Sequence, residues 1–210
     1  MTASDVYYAA CAQQQRLPEL EKTIMQDAQW THQYARDVIK GRWLEAEKVI
    51  MQDDMASYYY AAQVIKGRWP EAEAVIMKDS TVAYAYAKDV IKGRWLEAEE
   101  IIMHDVPTAY FYALNVVKGR CFESELTIMR NLDWACNYAS KVIKGRWLEA
   151  EEIIAQSKHR DDYIEIFFNE PVITKDKVDI IQWERYNQVG YFAPASLFET
   201  KVSLLDMVIE

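Results

Sequence analysis

Lysine, arginine and two glutamates recur together down this chain. Lys40, Arg42, Glu45 and Glu47 form one set, and Lys66, Arg68, Glu71 and Glu73 form the next. Residues of these types could do three kinds of chemistry. A cation ladder could read phosphates. A carboxylate pair could serve as general acid and base. A carboxylate ladder could imitate a nucleic-acid backbone. The cation ladder is weakened because two glutamates accompany every Lys/Arg pair, and the carboxylate ladder fails on the same ground. Each unit is near neutral, whereas duplex DNA carries a charge about every 1.7 Å. A carboxylate pair repeated six times is also architecture, not a dyad. The remaining chemistry-bearing residues are sparse. His32, His104 and His159 have no partner at metal-ligand spacing and read as surface residues. Cys11, Cys121 and Cys136 share no metal-like spacing, and an odd count without a framework points to a reducing compartment. No phosphate-binding glycine loop, dinucleotide fingerprint, HExxH or CxxC occurs. No catalytic residue, metal or cofactor is expected.

The elements that carry these residues repeat with a fixed period. Gly41, Gly67, Gly93, Gly119 and Gly145 are 26 residues apart, each inside a copy of KGRWLEAE or a close variant. One period earlier lies a degenerate copy, QRLPELE, with Gln15 in the glycine position. Residues from about 2 to 157 are therefore six tandem units. A fixed period of this size signals stacked repeats. In the unit Ser80 to Asp105, apolar residues at Val82, Ala83, Tyr86, Ala87, Val90 and Ile91 have helical spacing. Asp79 or Ser80 can cap the start of this helix. Gly93 fits the left-handed position after its end. A shorter helix begins at Leu96, because the equivalent residues Pro70 and Pro18 suit a first helical position. Ile101 and Ile102 of this helix are expected to face inward. Each unit thus reads as a helix of about 12 residues, a tight turn and a helix of about 9. Neither would be stable alone, so neighbours must stack. The expected fold is all-α: an α-solenoid of six helix-turn-helix repeats over 1–157, closed by a mainly helical segment, 158–210.

Six copies can be compared with one another. Tyr8, Tyr34, Tyr60, Tyr86, Tyr112 and Tyr138 occupy one position, followed each time by alanine. The arginine, both glutamates and the isoleucine represented by Ile50 are equally constant. This set reads as the cement of the stack, with the arginine forked onto Glu45 or Glu47. Cys121 replaces the repeat tryptophan and reads as core. Positions that differ between copies should face solvent or a partner. One such set is Trp30, Ala56, Val82, Thr108 and Trp134. A second is Gln33, Tyr59, Ala85, Phe111 and Asn137. A third is Arg36, Ala62, Lys88, Leu114 and Ser140. Exposed aromatic and apolar residues among them are candidate anchors for a protein partner. The candidate partner-binding residues are Trp30, Tyr59, Lys88, Phe111, Leu114 and Trp134.

After Ser157 the pattern changes to SKHRDDYIEIFFNEP. Residues 161–168 could be helix or strand. Thr174 can cap a helix over 175–189, and a further apolar helical pattern follows Pro194. This segment is either a cap or an effector element. The chain has 210 residues and a net charge of −9. The charge is divided as −5 over residues 1–156 and −4 over 157–210. No basic patch dominates, which argues against strong nucleic-acid binding. No apolar stretch approaches membrane-span length and no signal peptide is recognisable, so no membrane partner is expected and the cytoplasm is the default compartment.

The run VIKGRWPEAEAVIMKD, Val64 to Asp79, and its sisters resemble a short helical repeat, YAxxVIKGRWPEAE, of proteins from tailed bacteriophages and some large viruses. The resemblance covers about three quarters of the chain and excludes 158–210. The first copy departs from it at Gln15 and Leu17, and the fifth at Cys121 and Phe122. It implies a viral accessory role and no catalytic residues. The function expected is a non-catalytic module that binds a host protein, such as a defence or nuclease complex, and acts by steric occlusion in the host cytoplasm. An RNA- or single-stranded-DNA-binding solenoid and a phage structural or self-assembling protein are the alternatives.

Overall fold

The computed structural model describes residues 1–168, except 157 and 159. The described residues are all-helical, with thirteen α-helices packed against their neighbours and no strand. The chain divides into two compact units, residues 1–128 and 129–210. The expected helices over 175–189 and beyond Pro194 lie outside the described residues.

In the first unit each 26-residue repeat forms a long helix and a short one. Ser80–Tyr86 is α-helical and continues through Ala87–Ile91 as a π-helix, twelve residues in all. In the second to fifth repeats the aspartate before the long helix caps it. Asp53 accepts from the Ala56 N–H at 2.7 Å, Asp79 from Val82 at 3.0 Å, and Asp105 from Thr108 at 3.1 Å. A capping aspartate also places negative charge at the positive end of the helix dipole.

The end of the long helix differs from the expectation. The left-handed residue is the lysine, not the glycine that follows. Lys40, Lys66, Lys92 and Lys118 have φ between 58° and 60°. No repeat glycine has φ in that region, and a Cβ built on any of them meets nothing within 4 Å. A π-turn closes the helix, and the Ala61 carbonyl accepts both the Lys66 and the Gly67 amides.

The short helix begins where expected, at Leu44, Pro70 and Leu96. It is seven residues long, not nine. With leucine first it opens as a 3-10 turn, whereas Pro70–Ile76 is α-helical throughout. Ile102 is fully buried, but Ile101 is exposed. A seven-residue helix presents only one inward stripe, and the second isoleucine falls off it.

The constant residues interlock from repeat to repeat. Arg68 forks onto Glu73, Nε to Oε1 at 2.6 Å and Nη2 to Oε2 at 3.1 Å. Glu71 takes no part in this fork. The Tyr86 hydroxyl of the next repeat accepts from the Trp69 amide at 2.6 Å and donates to Glu73 Oε1 at 3.2 Å. Its ring packs against Trp95 of its own repeat, centroids 5.0 Å apart. The same knot joins Trp43, Glu47 and Tyr60, and again Trp95, Glu99 and Tyr112. These tyrosines are completely buried, as are the alanines after them.

The first repeat is an exception. Its helix, Ala3–Gln13, lacks the π-turn and is one residue shorter, ending on left-handed Gln14. Counted from its capping residue, Thr2, the knot position is Ala9. Tyr8 is therefore not the first knot tyrosine, and it is 62% exposed.

The second unit repeats the arrangement at Leu132–Tyr138, Ala139–Ile143 and Glu151–Ile154. The stretch 161–168 is helical, as Arg160–Phe168. Tyr163 on this helix accepts from the Trp147 amide at 2.8 Å and donates to Glu151 at 3.3 Å. The knot thus extends into sequence that no longer matches the repeat, and Tyr163 is fully buried.

Candidate protein-binding face

One set of residues that vary between repeats lies along one side of the long helices. Counting from the capping residue gives their positions. The fifth position holds Tyr7, His32, Tyr58, Tyr84 and Tyr110 in the first unit, and the sixth holds Tyr8, Gln33, Tyr59, Ala85 and Phe111. In the first repeat this count uses Thr2 as the cap, which places Tyr7 with Tyr58 and Tyr84. The hydrogen bonds agree. Tyr7 donates to Asp37 at 2.7 Å and Tyr58 to Asp89 at 2.8 Å, while Tyr84 accepts from Asn115 at 2.8 Å. Each bond joins one repeat to the next across the outer side.

Rings cluster on this side. Trp30 lies against Tyr7 and Tyr8 at 5.3 and 5.6 Å. Tyr59 stacks on His32 at 5.7 Å and touches Tyr58 at 4.9 Å. Phe111 meets Tyr110 at 5.1 Å and Tyr84 at 6.4 Å. Phe111 is 39% exposed, and Tyr59 and Leu114 are half-buried. Lys88 is exposed, with its Nζ 5.6 Å from the Tyr84 ring centroid and 3.4 Å from Asp89. Trp30 is half-buried, as is Trp134 in the second unit. Their position does not face solvent in the repeats between them. Ala56, Val82 and Thr108 are buried there, and the Thr108 hydroxyl donates to the Ile102 carbonyl at 3.0 Å. The variability at that position records packing against the preceding short helix.

His32 is buried, contrary to the surface reading, and only His104 of the described histidines is exposed. Burial and the neighbouring Arg36 hold its imidazole down to about 4. His159 lies outside the described residues. Cys121 is buried, as its place in the repeat requires. Tyr7, Tyr8, Tyr58 and Tyr84 also belong to this face and were not among the candidates. Their signal is the recurrence of aromatic residues at the fifth position, which the one-residue shift in the first repeat hides.

Electrostatics divide the first unit into two layers. The long helices carry Asp5, Asp37, Asp54 and Asp89 against two cations, Arg36 and Lys88, and their caps add Asp27, Asp53, Asp79 and Asp105. The turns and short helices are balanced, with eleven acidic and twelve basic residues. The cations of the acidic layer are partly neutralised in place. Arg36 forks onto Asp37 with both contacts at 2.7 Å. That contact and the Tyr7 hydroxyl hold the Asp37 carboxyl below its usual range.

Among the described residues no cluster of three or more His, Cys, Asp or Glu is placed to hold a metal ion. No helix there is long and apolar enough to cross a membrane. Compared with protein families, curated proteins and solved structures, the chain finds no match in any of the three.

Proposed function

We propose that this protein is a non-catalytic binding module, an α-solenoid of six 26-residue repeats that engages another protein through the outer side of its long helices. Residues 158–210 serve it as cap or effector. One observation carries the reading. The inward positions hold the same tyrosine, alanine and isoleucine in repeat after repeat, while half-exposed aromatic residues are concentrated on the outer side. Large exposed rings on an otherwise uniform scaffold are the residues that supply interface anchors. The resemblance to viral helical repeats supports a partner in the infected cell, a host defence or nuclease protein blocked by occlusion in the cytoplasm. The acidic character of the same side disfavours RNA or single-stranded DNA as its ligand.

The test is affinity capture from infected cells with the wild-type chain and the variant Tyr59→Ala/Phe111→Ala, followed by affinity measurement on any protein captured. The rings lie on the surface side of stable helices, so the variant should fold. Its affinity should fall at least about tenfold. Equal affinity in a folded variant would place the binding surface elsewhere.

A further inference from the structure

Three positions of the repeat are constant in kind and yet lie on the surface. The first is the lysine that closes the long helix: Lys40, Lys66, Lys92 and Lys118 are all exposed. The second opens the short helix and is apolar every time, as Pro18, Leu44, Pro70, Leu96 and Phe122. The third follows it and is always glutamate, as Glu19, Glu45, Glu71, Glu97 and Glu123. The scaffold does not bury the apolar side chains. Leu44 and Leu96 are 66% and 69% exposed, and Phe122 is 52% exposed. A first helical position does not call for leucine or phenylalanine, since proline serves there as well. The backbone does not call for lysine either, because each of the four sits at a left-handed φ that favours glycine. The helix dipole accounts for a cation at that end, but not for the apolar residue four positions later. Among the described residues none of these lysines makes an ion pair or a hydrogen bond, while the arginine two residues on is held by the glutamate of its own repeat.

The three positions form rows along the first unit. Arg68 lies 4.0 Å from Glu97 of the next repeat and Arg94 lies 3.7 Å from Glu123, so successive turns are neighbours. These two glutamate side chains remain 66% and 59% exposed. A row of cations, a row of apolar side chains and a row of carboxylates therefore each advance by one helix spacing per repeat, about 8–10 Å. A surface that repeats in this way is matched by a partner that repeats at the same distance. A nucleic-acid strand would meet the carboxylate row along with the cations and be repelled by it. A second copy of this chain carries the complementary rows at an identical spacing. It also meets no net repulsion here, because the turns and short helices hold eleven acidic and twelve basic residues, whereas the long-helix layer is acidic.

We propose that two copies of this chain pair side by side along the turns and short helices, the lysine row of each facing the glutamate row of the other and the apolar rows in contact. The pairing is two-fold symmetric, so each lysine–glutamate contact occurs twice and the assembly closes at two copies. It uses a different surface from the outer side of the long helices, and it does not depend on the binding-module reading.

Sedimentation equilibrium of the full chain measures the pairing, and charge swaps locate it. Lys66→Glu/Lys92→Glu sets glutamate against glutamate, and Glu71→Lys/Glu97→Lys sets lysine against lysine. Thermal melts establish that each variant folds. Either swap alone should raise the dimer dissociation constant at least about tenfold. Mixed in equal amounts, the two swapped chains should form a heterodimer within about threefold of the wild-type constant. Leu44→Ser/Leu96→Ser removes only apolar contact and should weaken the dimer at least about tenfold. Tyr59→Ala/Phe111→Ala, on the outer side, should leave it unchanged. Should a swap fail to fold, the serine variant decides alone. A wild-type chain that stays monomeric, swaps or a serine variant that leave the pair intact, a mixture that stays monomeric, or growth beyond two copies would each overturn the proposal. The binding-module reading would stand in any of these cases, because its test rests on Tyr59 and Phe111.

Discussion

Removing one oxygen from the chain tests how the repeats hold together. Tyr86→Phe keeps the buried ring and its packing on Trp95 but deletes the hydroxyl. That hydroxyl is the partner of the Trp69 amide at 2.6 Å and a donor to Glu73 at 3.2 Å. An amide buried without a partner costs about 1–3 kcal/mol. The bond to Glu73 adds less, because it is long and the carboxylate keeps both contacts from Arg68. The ion pair itself is weak cement. Arg68 is about half exposed, at 48% of its side chain, and such pairs contribute about 0–1 kcal/mol. Its effect is to aim the carboxylate at the tyrosine. The expected loss for Tyr86→Phe is therefore about 2–3 kcal/mol. Tyr58→Phe is the control. It also deletes a hydroxyl that joins two repeats, but its acceptor, Asp89, is exposed to water, and the loss should be about 0.5–1 kcal/mol. Equilibrium urea unfolding followed by tryptophan fluorescence compares the two, with unchanged slopes required. Losses of equal size, or a Tyr86→Phe variant as stable as the wild type, would refute the knot as the joint between repeats.

Three further outcomes follow from the same geometry. Lys66→Gly should leave stability unchanged or raise it by up to about 1 kcal/mol, because the left-handed backbone is costly for any residue with a Cβ; Gly67→Ala should be tolerated, and a large loss on chemical denaturation would show that the glycine's constancy has a backbone cause. His32 is neutral in the folded chain to about pH 4 but takes a proton near 6.5 when unfolded, so its contribution is complete above about 6.5 and declines as pH falls toward 4; denaturation of wild type and His32→Leu between pH 7 and 5 should show the steeper acid loss in the wild type. Burial raises the Tyr60 and Tyr86 hydroxyls to about 12, so their stabilisation is complete below about pH 10 and is lost as pH rises toward 12; tyrosinate absorbance should rise together with unfolding, and titration near 10 in a chain still folded would contradict their burial.

The long helices were legible because three independent signals coincide in the second to fifth repeats: the aspartate cap, the helical spacing of apolar residues and the break at Lys-Gly. The tyrosine–glutamate–arginine set was legible for another reason. Repetition inside one chain separates what the scaffold needs from what it tolerates. The choice between Glu45 and Glu47 was not legible, because it depends on how far the arginine reaches around the 3-10 turn. The arginine spans five residues to Glu47, at 2.8 and 3.0 Å. The π-turn was also hidden. A one-residue insertion shared by every complete repeat leaves no trace in the period.

That shared insertion decides how the first repeat must be read. Aligned on its helix end, the first repeat puts Tyr8 at the knot position and the outer face starts with the second repeat. Aligned on its cap, Tyr7 and Tyr8 join the outer face and Ala9 takes the knot position. The hydrogen bonds distinguish the two alignments. Tyr7 reaches Asp37 across 30 residues, where Tyr58 reaches Asp89 and Asn115 reaches Tyr84 across 31. The single residue of difference is the missing π-insertion. Once it is counted, Tyr8 and Cys11 fall at the sixth and ninth positions, where the third repeat has Tyr59 and Ala62 and the fifth has Phe111 and Leu114.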